Sequence, residues 1–450
     1  MHPMEEKEAP EAVAERYLTK LIGQCMVQVT KKKLDGRVQA CCLPDPIRRH
    51  WLLKAKEATF LQGHKKPRSS EIYLGTGMVH RLADHLDKGD DSFNQIHGYH
   101  NASSISLQSQ YQDITSFLSF DTREGSRPGE DIGNFLDRCI SNRCLLLLRV
   151  LDLELVYKPK LPEALELLRH LRYLGLRRTK LDMLPSSVGK LLNLQTLDVK
   201  HTDIRTLPNS IWAMQQLRNL YLSENYCSMP QPSSNSLTTL QTLWGLLVKE
   251  ETPVKDGLDR LVNLRKLGLA FCLLGSQQEA MLSQVDAVAD WVLKLNHLQS
   301  LRLKSYDEKN QPWDLHLKPL SSHANLSNVY LLGQLKNPSI VSEFPHSLTD
   351  LTLSWSGLAE DPMQTLDKLP KLRVLRLLRR AYVGKNMLCS SGGFPELRVL
   401  KLWMLEQLEE WNVEKGALQG LRDLEVRSCI KLGVLPEELQ HRSFLKLEFI

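Results

Sequence analysis

The chain has 450 residues, of which 86 are leucine, 13 in residues 1–140 and 73 in residues 141–450. With 24% charged and 42% hydrophobic residues and a net charge of +6, it is neither disordered nor collagen-like, and it carries no strong basic field that would argue for nucleic acid. No run approaches the ~18 apolar residues of a membrane-spanning helix. Met1 to Pro10 is acidic and lacks an apolar core, which argues against a signal peptide. The nine cysteines have no zinc spacing, so a reduced, cytoplasmic protein without metal or other cofactor is expected.

In chain order, Glu11–Gln24 places Ala14, Tyr17, Leu18, Leu21 and Ile22 on one helical face. Met26–Val29 reads as a strand, Asp35-Gly36 as a hairpin turn, and Arg37–Cys41 as the returning strand. Asp45-Pro46 then opens a second helix running to about Leu61, with Asp45 as N-cap and Pro46 in the first helical position. Helix, two-stranded wing and helix form the back end of a winged-helix domain, assigned to residues 1–66. Residues 67–140 are polar, broken by apolar patches at Met78–Leu86 and Ile114–Phe120. They are expected to be a linker and an irregular cap in which Leu118-x-Phe120 is a first repeat and Ser126-Arg127-Pro128-Gly129 a loop.

Residues 141–450 repeat. Leu-x-Leu cores start at Leu151, Leu174, Leu197, Leu220, Leu243, Leu267, Leu301, Val329, Leu351, Leu375, Leu400 and Leu424, with a thirteenth fragment near Leu445 and Leu447. The first five are 23 residues apart and the average interval is 24.8. Apolar residues three and six positions upstream, as in Leu168-x-x-Leu171-x-x-Leu174-x-Leu176, complete the leucine-rich-repeat signature. Each core predicts a short strand with its leucines inward. A slot three residues past the second leucine holds Thr179, Thr202, Asn225, Cys272, Ser356 and Cys429, suited to bonding backbone groups as the chain turns. Leu161-Pro162, Leu184-Pro185 and Leu207-Pro208 open helical turns on the way back. The long interval after Leu267 contains an amphipathic run from Gln278 to Leu293, read as a longer helix. The expected fold is an α/β leucine-rich-repeat solenoid of about 12–13 repeats, its parallel strands on the concave face, preceded by a partial winged-helix domain.

Enzyme templates are missing: there is no Gly-x-Ser-x-Gly and no His-Glu-x-x-His, and fourteen histidines, including His97, His100 and His316, show no metal spacing. What the repeats offer is a surface, because residues beside the leucines point away from the core. Those positions carry Tyr173, Tyr221, Trp244, Tyr330 and Trp403. Their cations are Arg177, Lys200, Lys266, Arg302, Lys304, Arg376, Lys401 and Arg427, and their anions Asp152, Glu154, Asp198, Asp350, Asp423 and Glu425. Mixed charge with aromatics and arginine suits protein recognition rather than a phosphate track.

Residues 14–61 carry a resemblance. Ala14-Glu15-Arg16-Tyr17-Leu18, Met26-Val27-Gln28-Val29, Asp35-Gly36-Arg37-Val38 and Leu43-Pro44-Asp45-Pro46-Ile47-Arg48 resemble the end of the winged-helix domain of plant coiled-coil nucleotide-binding leucine-rich-repeat disease-resistance proteins. Phe117-Leu118-Ser119-Phe120 and Leu148-Arg149-Val150-Leu151 resemble that family's entry into its repeats. The family's phosphate-binding loop has no counterpart here, and the histidine of its hydrophobic-His-Asp nucleotide sensor is replaced, leaving Leu43-Pro44-Asp45. The resemblance therefore implies a truncated member, without its own nucleotide-binding core. Its partners would be proteins: a pathogen effector, a guarded host protein, or the NB-ARC domain of a receptor. Alternatives are a general repeat scaffold, such as a ubiquitin-ligase substrate receptor, and a winged-helix DNA binder using Lys31-Lys32-Lys33.

Overall fold

A computed structural model of the chain describes residues 10–32, 38–58, 60–64, 80–89, 93, 97, 108, 111–224, 227–232, 237–273, 278–440 and 446–449. It divides into two compact units, Met1–Gln62 and Gly63–Ile450. The expected Asp35-Gly36 turn, Asn225 and His100 lie outside the described residues.

The first unit has helix α1 (Pro10–Gly23), strands β1 (Gln28–Lys32) and β2 (Val38–Cys42), and helix α2 (Asp45–Glu57). The strands pair antiparallel, Gln28 opposite Cys42. Strand β1 starts two residues later than the hydrophobic run suggested, and α2 ends at Glu57 rather than Leu61. Asp45 is also not the N-cap. The Arg48 amide donates to the Pro44 carbonyl at 2.8 Å, which puts the cap at Pro44 and Asp45 in the first turn. There its carboxylate complements the helix dipole. Tyr17, Trp51, Leu53 and Phe60 are exposed, so this unit buries little of its apolar surface.

A short strand, β3 (Gln62–His64), falls at the boundary. Beyond it one parallel sheet runs in chain order through β4 (Arg81–Leu86), β5 (Ser116–Asp121), β6 (Val150–Asp152), β7 (Tyr173–Gly175), β8 (Thr196–Asp198), β9 (Asn219–Tyr221), β10 (Thr242–Val248), β11 (Lys266–Leu273) and β12 (Ser300–Asp307). Two strands outside it, β13 (Asp314–Leu315) and β15 (Gln334–Leu335), flank β14 (Asn328–Leu332) in sequence and pair with each other. The main sheet continues through β14, β16 (Asp350–Ser354), β17 (Val374–Leu378), β19 (Val399–Trp403), β21 (Asp423–Arg427) and β22 (Lys446–Phe449), while β18 (Asn386–Cys389) pairs with β20 (Glu410–Val413). Every core position named from the sequence falls in one register, Leu151 opposite Leu174, then Leu197, Leu220 and Leu243, and onward to Leu424 opposite Leu447. All twelve from Leu151 to Leu424 are buried, each coil closing the leucines of the one before.

Among the described residues, seven coils leave their strand through a left-handed non-glycine residue two places past the second core position: Leu155, Arg178, His201, Trp355, Arg379, Met404 and Ser428. Such a conformation costs about 1–2 kcal/mol. It aims the amide at the next coil, as where Arg178 donates to the Lys200 carbonyl at 2.9 Å. The expected Ser356 hydroxyl is buried without a partner among the described residues. In three of the other coils the slot residue then bonds a backbone carbonyl, Thr179 donating to Leu176 at 2.8 Å, Thr202 to Val199 at 2.7 Å and the Cys429 thiol to Leu402 of the preceding coil at 3.5 Å. Cys272 does not do this. It lies inside β11, opposite Tyr306, because that strand runs straight through the position where other coils turn.

Pro162, Pro185 and Pro208 each adopt extended backbone and lead into 3-10 turns at Glu163–Leu167, Ser186–Lys190 and Asn209–Ala213. The long interval carries helix α4 (Gln278–Leu293), which buries Met281, Val285, Val288, Trp291 and Val292. Single-turn helices α5 (Met363–Leu366) and α6 (Glu437–Gln440) serve later coils.

The start of the sheet corrects three expectations. The first apolar patch is a strand rather than linker, since β4 pairs with β5 from Arg81–Ser116 to Leu86–Asp121, while the second patch is a repeat strand as expected. In β5 the inward residues are Phe117, Ser119 and Asp121, and the expected Leu118 and Phe120 are half-buried, one register step away. The Phe117–Leu151 pair sets that register. Ser126-Arg127-Pro128-Gly129 is not a loop but the start of helix α3 (Arg127–Ser141), with Ser126 at its N-cap. Gly129 is there for clearance, because a Cβ would stand 2.1 Å from the Lys158 carbonyl oxygen.

Candidate recognition surface

The position between the two core leucines forms a row across the open face of the sheet, one residue per strand. From β6 it reads Asp152, Gly175, Asp198, Tyr221, Trp244, Gly268, Arg302, Tyr330, Thr352, Arg376, Lys401 and Glu425. Acids therefore lead, aromatics stand in the middle, and cations follow.

The middle is one stack. The Lys200 ammonium lies 4.7 Å from the Tyr221 ring centre and 5.9 Å from that of Trp244. The Arg302 guanidinium lies 5.8 Å from Trp244 and 5.0 Å from Tyr330. Gly268 makes the stack possible: a Cβ there would stand 2.7 Å from the Trp244 ring, which lies over the glycine's backbone. A second group forms later, with Lys401 and Arg427 at 5.2 and 5.4 Å from the Trp403 ring. At the other end Tyr173 packs over Gly175 beside Arg177, and burial raises its hydroxyl pKa. Ten of the twelve expected contact residues thus fall into three groups by strand order, Lys304 and Arg376 standing apart from the rings.

Most of their cations are already paired. Arg177 meets Asp198 at 2.8 Å, Arg376 meets Asp350 at 2.7 Å, and Lys401 and Arg427 share Glu425. Arg302 meets Glu224 at 3.1 Å, and Lys304 bonds the same carboxylate. Sequence reading missed Glu224 because it lies four residues past Leu220, outside the positions flanking each core, and 80 residues from Lys304. Lys200 differs. It is half-buried, has no ion pair among the described residues, and burial lowers its pKa from the usual lysine value. Asp198 raises it in turn, by less.

Other chemistry-bearing groups lie inside. His97 bonds Asp84 and Tyr111, each at 2.9 Å, and all three are buried among Phe93, Phe117 and Phe135. Arg123 is held by Asp121 at 2.7 Å and Asp131 at 3.1 Å. Burial pushes the Cys139, Cys227 and Cys389 thiols up to about 12, which makes them unreactive at neutral pH. Among the described residues there is no His, Cys, Asp or Glu grouping fit for a metal and no helix long and apolar enough to cross a membrane. In the first unit Leu43 and Asp45 are exposed and Pro44 is half-buried.

Comparison with known proteins agrees with this architecture. A disease resistance protein of Arabidopsis thaliana is 32% identical over 440 residues, covering 96% of this chain and 44% of that protein. The Arabidopsis disease resistance protein RPP8 is 29% identical over 454 residues, covering 96% and 45% respectively. The chain therefore spans less than half the length of the curated relatives it matches. A solved leucine-rich-repeat protein of Leptospira interrogans superposes with a TM-score of 0.49 at 18% identity, covering 84% of this chain and 93% of that one. The expected resemblance to plant disease-resistance proteins is thus borne out by relatives that match nearly the whole chain. The model of the leucine-rich repeat region matches residues 134–447, and the chain belongs to that leucine-rich-repeat family.

Proposed function

We propose that this chain is a non-catalytic protein-recognition module of an intracellular plant immune receptor, and that the open face of its sheet contacts a pathogen effector, a guarded host protein or a receptor's nucleotide-binding domain. The observation that carries the reading is the stack of Lys200, Tyr221, Trp244, Arg302 and Tyr330, held ready across the strands by Gly268. Rigid aromatics with arginine are the side chains that dominate protein interfaces, and a pre-ordered set loses little entropy on binding. The similarity to disease resistance proteins supplies the setting. With Pro44 where the family's sensor has histidine, the chain has no nucleotide-exchange role of its own, and micromolar ATP or ADP affinity would contradict this.

The test compares the double variant Trp244→Ala/Tyr330→Ala with Met183→Ser, which alters an exposed residue outside the sheet. Each is expressed in leaf tissue, cross-linked and assayed for bound plant or pathogen proteins by quantitative mass spectrometry. Partners should drop about 10- to 100-fold in the double variant and persist in the control. Equal recovery from both would show that the open face is not the recognition surface.

A further inference from the structure

We propose that the groove between Lys200 and Lys304 binds carboxylates, so that the partner segment docking there is acidic. The proposal deepens the recognition reading above and rests on it.

The groove has a volume of about 570 Å³, and Lys180, Lys200, His201, Glu224, Arg302 and Lys304 line it beside the Trp244 ring. Its charges do not balance. The cations Lys180, Lys200, Arg302 and Lys304 face two carboxylates, those of Asp203 and Glu224. Asp203 is taken by Lys180 at 3.8 Å. Glu224 divides one negative charge between Arg302 and Lys304. Two positive charges are left over, one of them on Lys200. The faces of Tyr221 and Trp244 attract that ammonium but carry no net charge to neutralise it. Arg302 Nε is buried without an acceptor among the described residues.

Glu224 demonstrates the geometry: a carboxylate on this surface is already gripped by the Arg302 and Lys304 side chains together. An arriving carboxylate on Lys200 would be bonded in a half-buried, low-dielectric site, where a charged hydrogen bond is stronger than in open water. A nucleic-acid backbone fits less well. Its unbroken phosphates would pass Asp198, Asp203 and Glu224, whereas a polypeptide can space its acids between them.

The experiment uses the whole chain and fluorescence anisotropy with short labelled peptides on one Ser/Gly/Tyr frame, carrying glutamates, glutamines or lysines, plus an oligothymidylate of equal length. The glutamate peptide should bind about tenfold more tightly than the glutamine peptide, with the lysine peptide weakest. Lys200→Met should erase that preference, and Glu224→Gln, which frees Arg302 and Lys304, should enlarge it. Circular dichroism of both variants checks that they fold. Equal affinity for the glutamate and glutamine peptides, no binding of either, a preference unchanged in either variant, or tighter binding of the oligothymidylate would each overturn the proposal. Glutamine-peptide binding that is lost in Trp244→Ala/Tyr330→Ala would leave the recognition reading standing while the carboxylate preference failed. The leaf cross-linking comparison decides that reading independently.

Discussion

The coils from β6 to β9 and those from β10 to β12 solve the same problem differently. The first set repeats every 23 residues, with three-residue strands, proline-led 3-10 returns and, in three of its four coils, a left-handed exit. In the second set the strands have seven or eight residues, and the last connection contains a 16-residue helix. In β11 and β12 the strand runs on through the exit position, bringing Phe271 and Ser305 into the core and Tyr306 opposite Cys272. The switch occurs at Gly245. Its φ of +86° forms a bulge that skips one residue, so that Leu246 rather than residue 245 pairs with Leu269. The proposed groove lies across this change of coil, with Lys200 on one side, Lys304 on the other and Trp244 beside the bulge. A strictly periodic stack presents the same surface at every step. The irregular coils make one place on it unlike the others.

Breaking the contrast most strongly should be Trp291→Ala, which empties a fully buried site under the wide coils and should cost about 3–5 kcal/mol in urea unfolding. Because each coil contacts only its neighbours, hydrogen exchange should rise between β10 and β12 while β6–β8 keep their protection. Equal loss in both regions would mean that the two sets unfold as one. Next is Gly245→Ala. Its Cβ would lie 2.2 Å from the Leu222 carbonyl oxygen at an unfavourable φ, for about 1–3 kcal/mol, and Trp244 should move with it. A crystal structure with Trp244 unmoved would separate the bulge from the groove. A matched pair sharpens the contrast further: Thr202→Val removes a turn hydrogen bond and should cost about 1 kcal/mol, whereas Cys272→Val, inside a strand, should change the urea midpoint little.

The smallest effect is a pH dependence. Burial raises the Asp152 carboxyl pKa above the ordinary value, with the Glu154 amide bond lowering it and nearby acids adding to the rise. The folded state then holds this proton more tightly than the unfolded chain, so stability falls as pH rises through the interval between the two values. Asp152→Asn keeps an acceptor for the Glu154 amide and should raise Tm slightly at pH 7. That gain should vanish once the pH drops below the ordinary carboxylate range. A gain that persisted in acid would put its origin outside this titration.

Much of the second unit was legible. The spacing of leucines placed Leu151 through Leu424 in one ladder because a strand buried on one face cannot slip by a residue without exposing its whole apolar set. The proline-led turns and the helix Gln278–Leu293 were legible for a similar reason, since each is set by residues within one turn of each other. Around β5 the same logic misled. Leu118 and Phe120 look like a core pair, yet Phe117, Ser119 and Asp121 are inside, because Asp121 is satisfied by Arg123 and Asp131 shares the same arginine. In α3, Pro128-Gly129 resembled a loop although the glycine is there to clear a neighbouring coil. The side chains beside the core leucines were readable from the sequence as surface positions, but how they group depended on strand order and on which acids reached them.

The sequence by itself determined the repeat, its period, its register and the chemical row along the open face, since these follow from hydrophobic periodicity within each coil. Only the tertiary structure decided which of those cations are spent and which remains. Glu224 reaches Arg302 and Lys304 across 78 and 80 positions of sequence, while Lys200 has no ion pair among the described residues. Stacking coils turns a long separation along the chain into a short one across the sheet, and charge pairing is settled by distance in space.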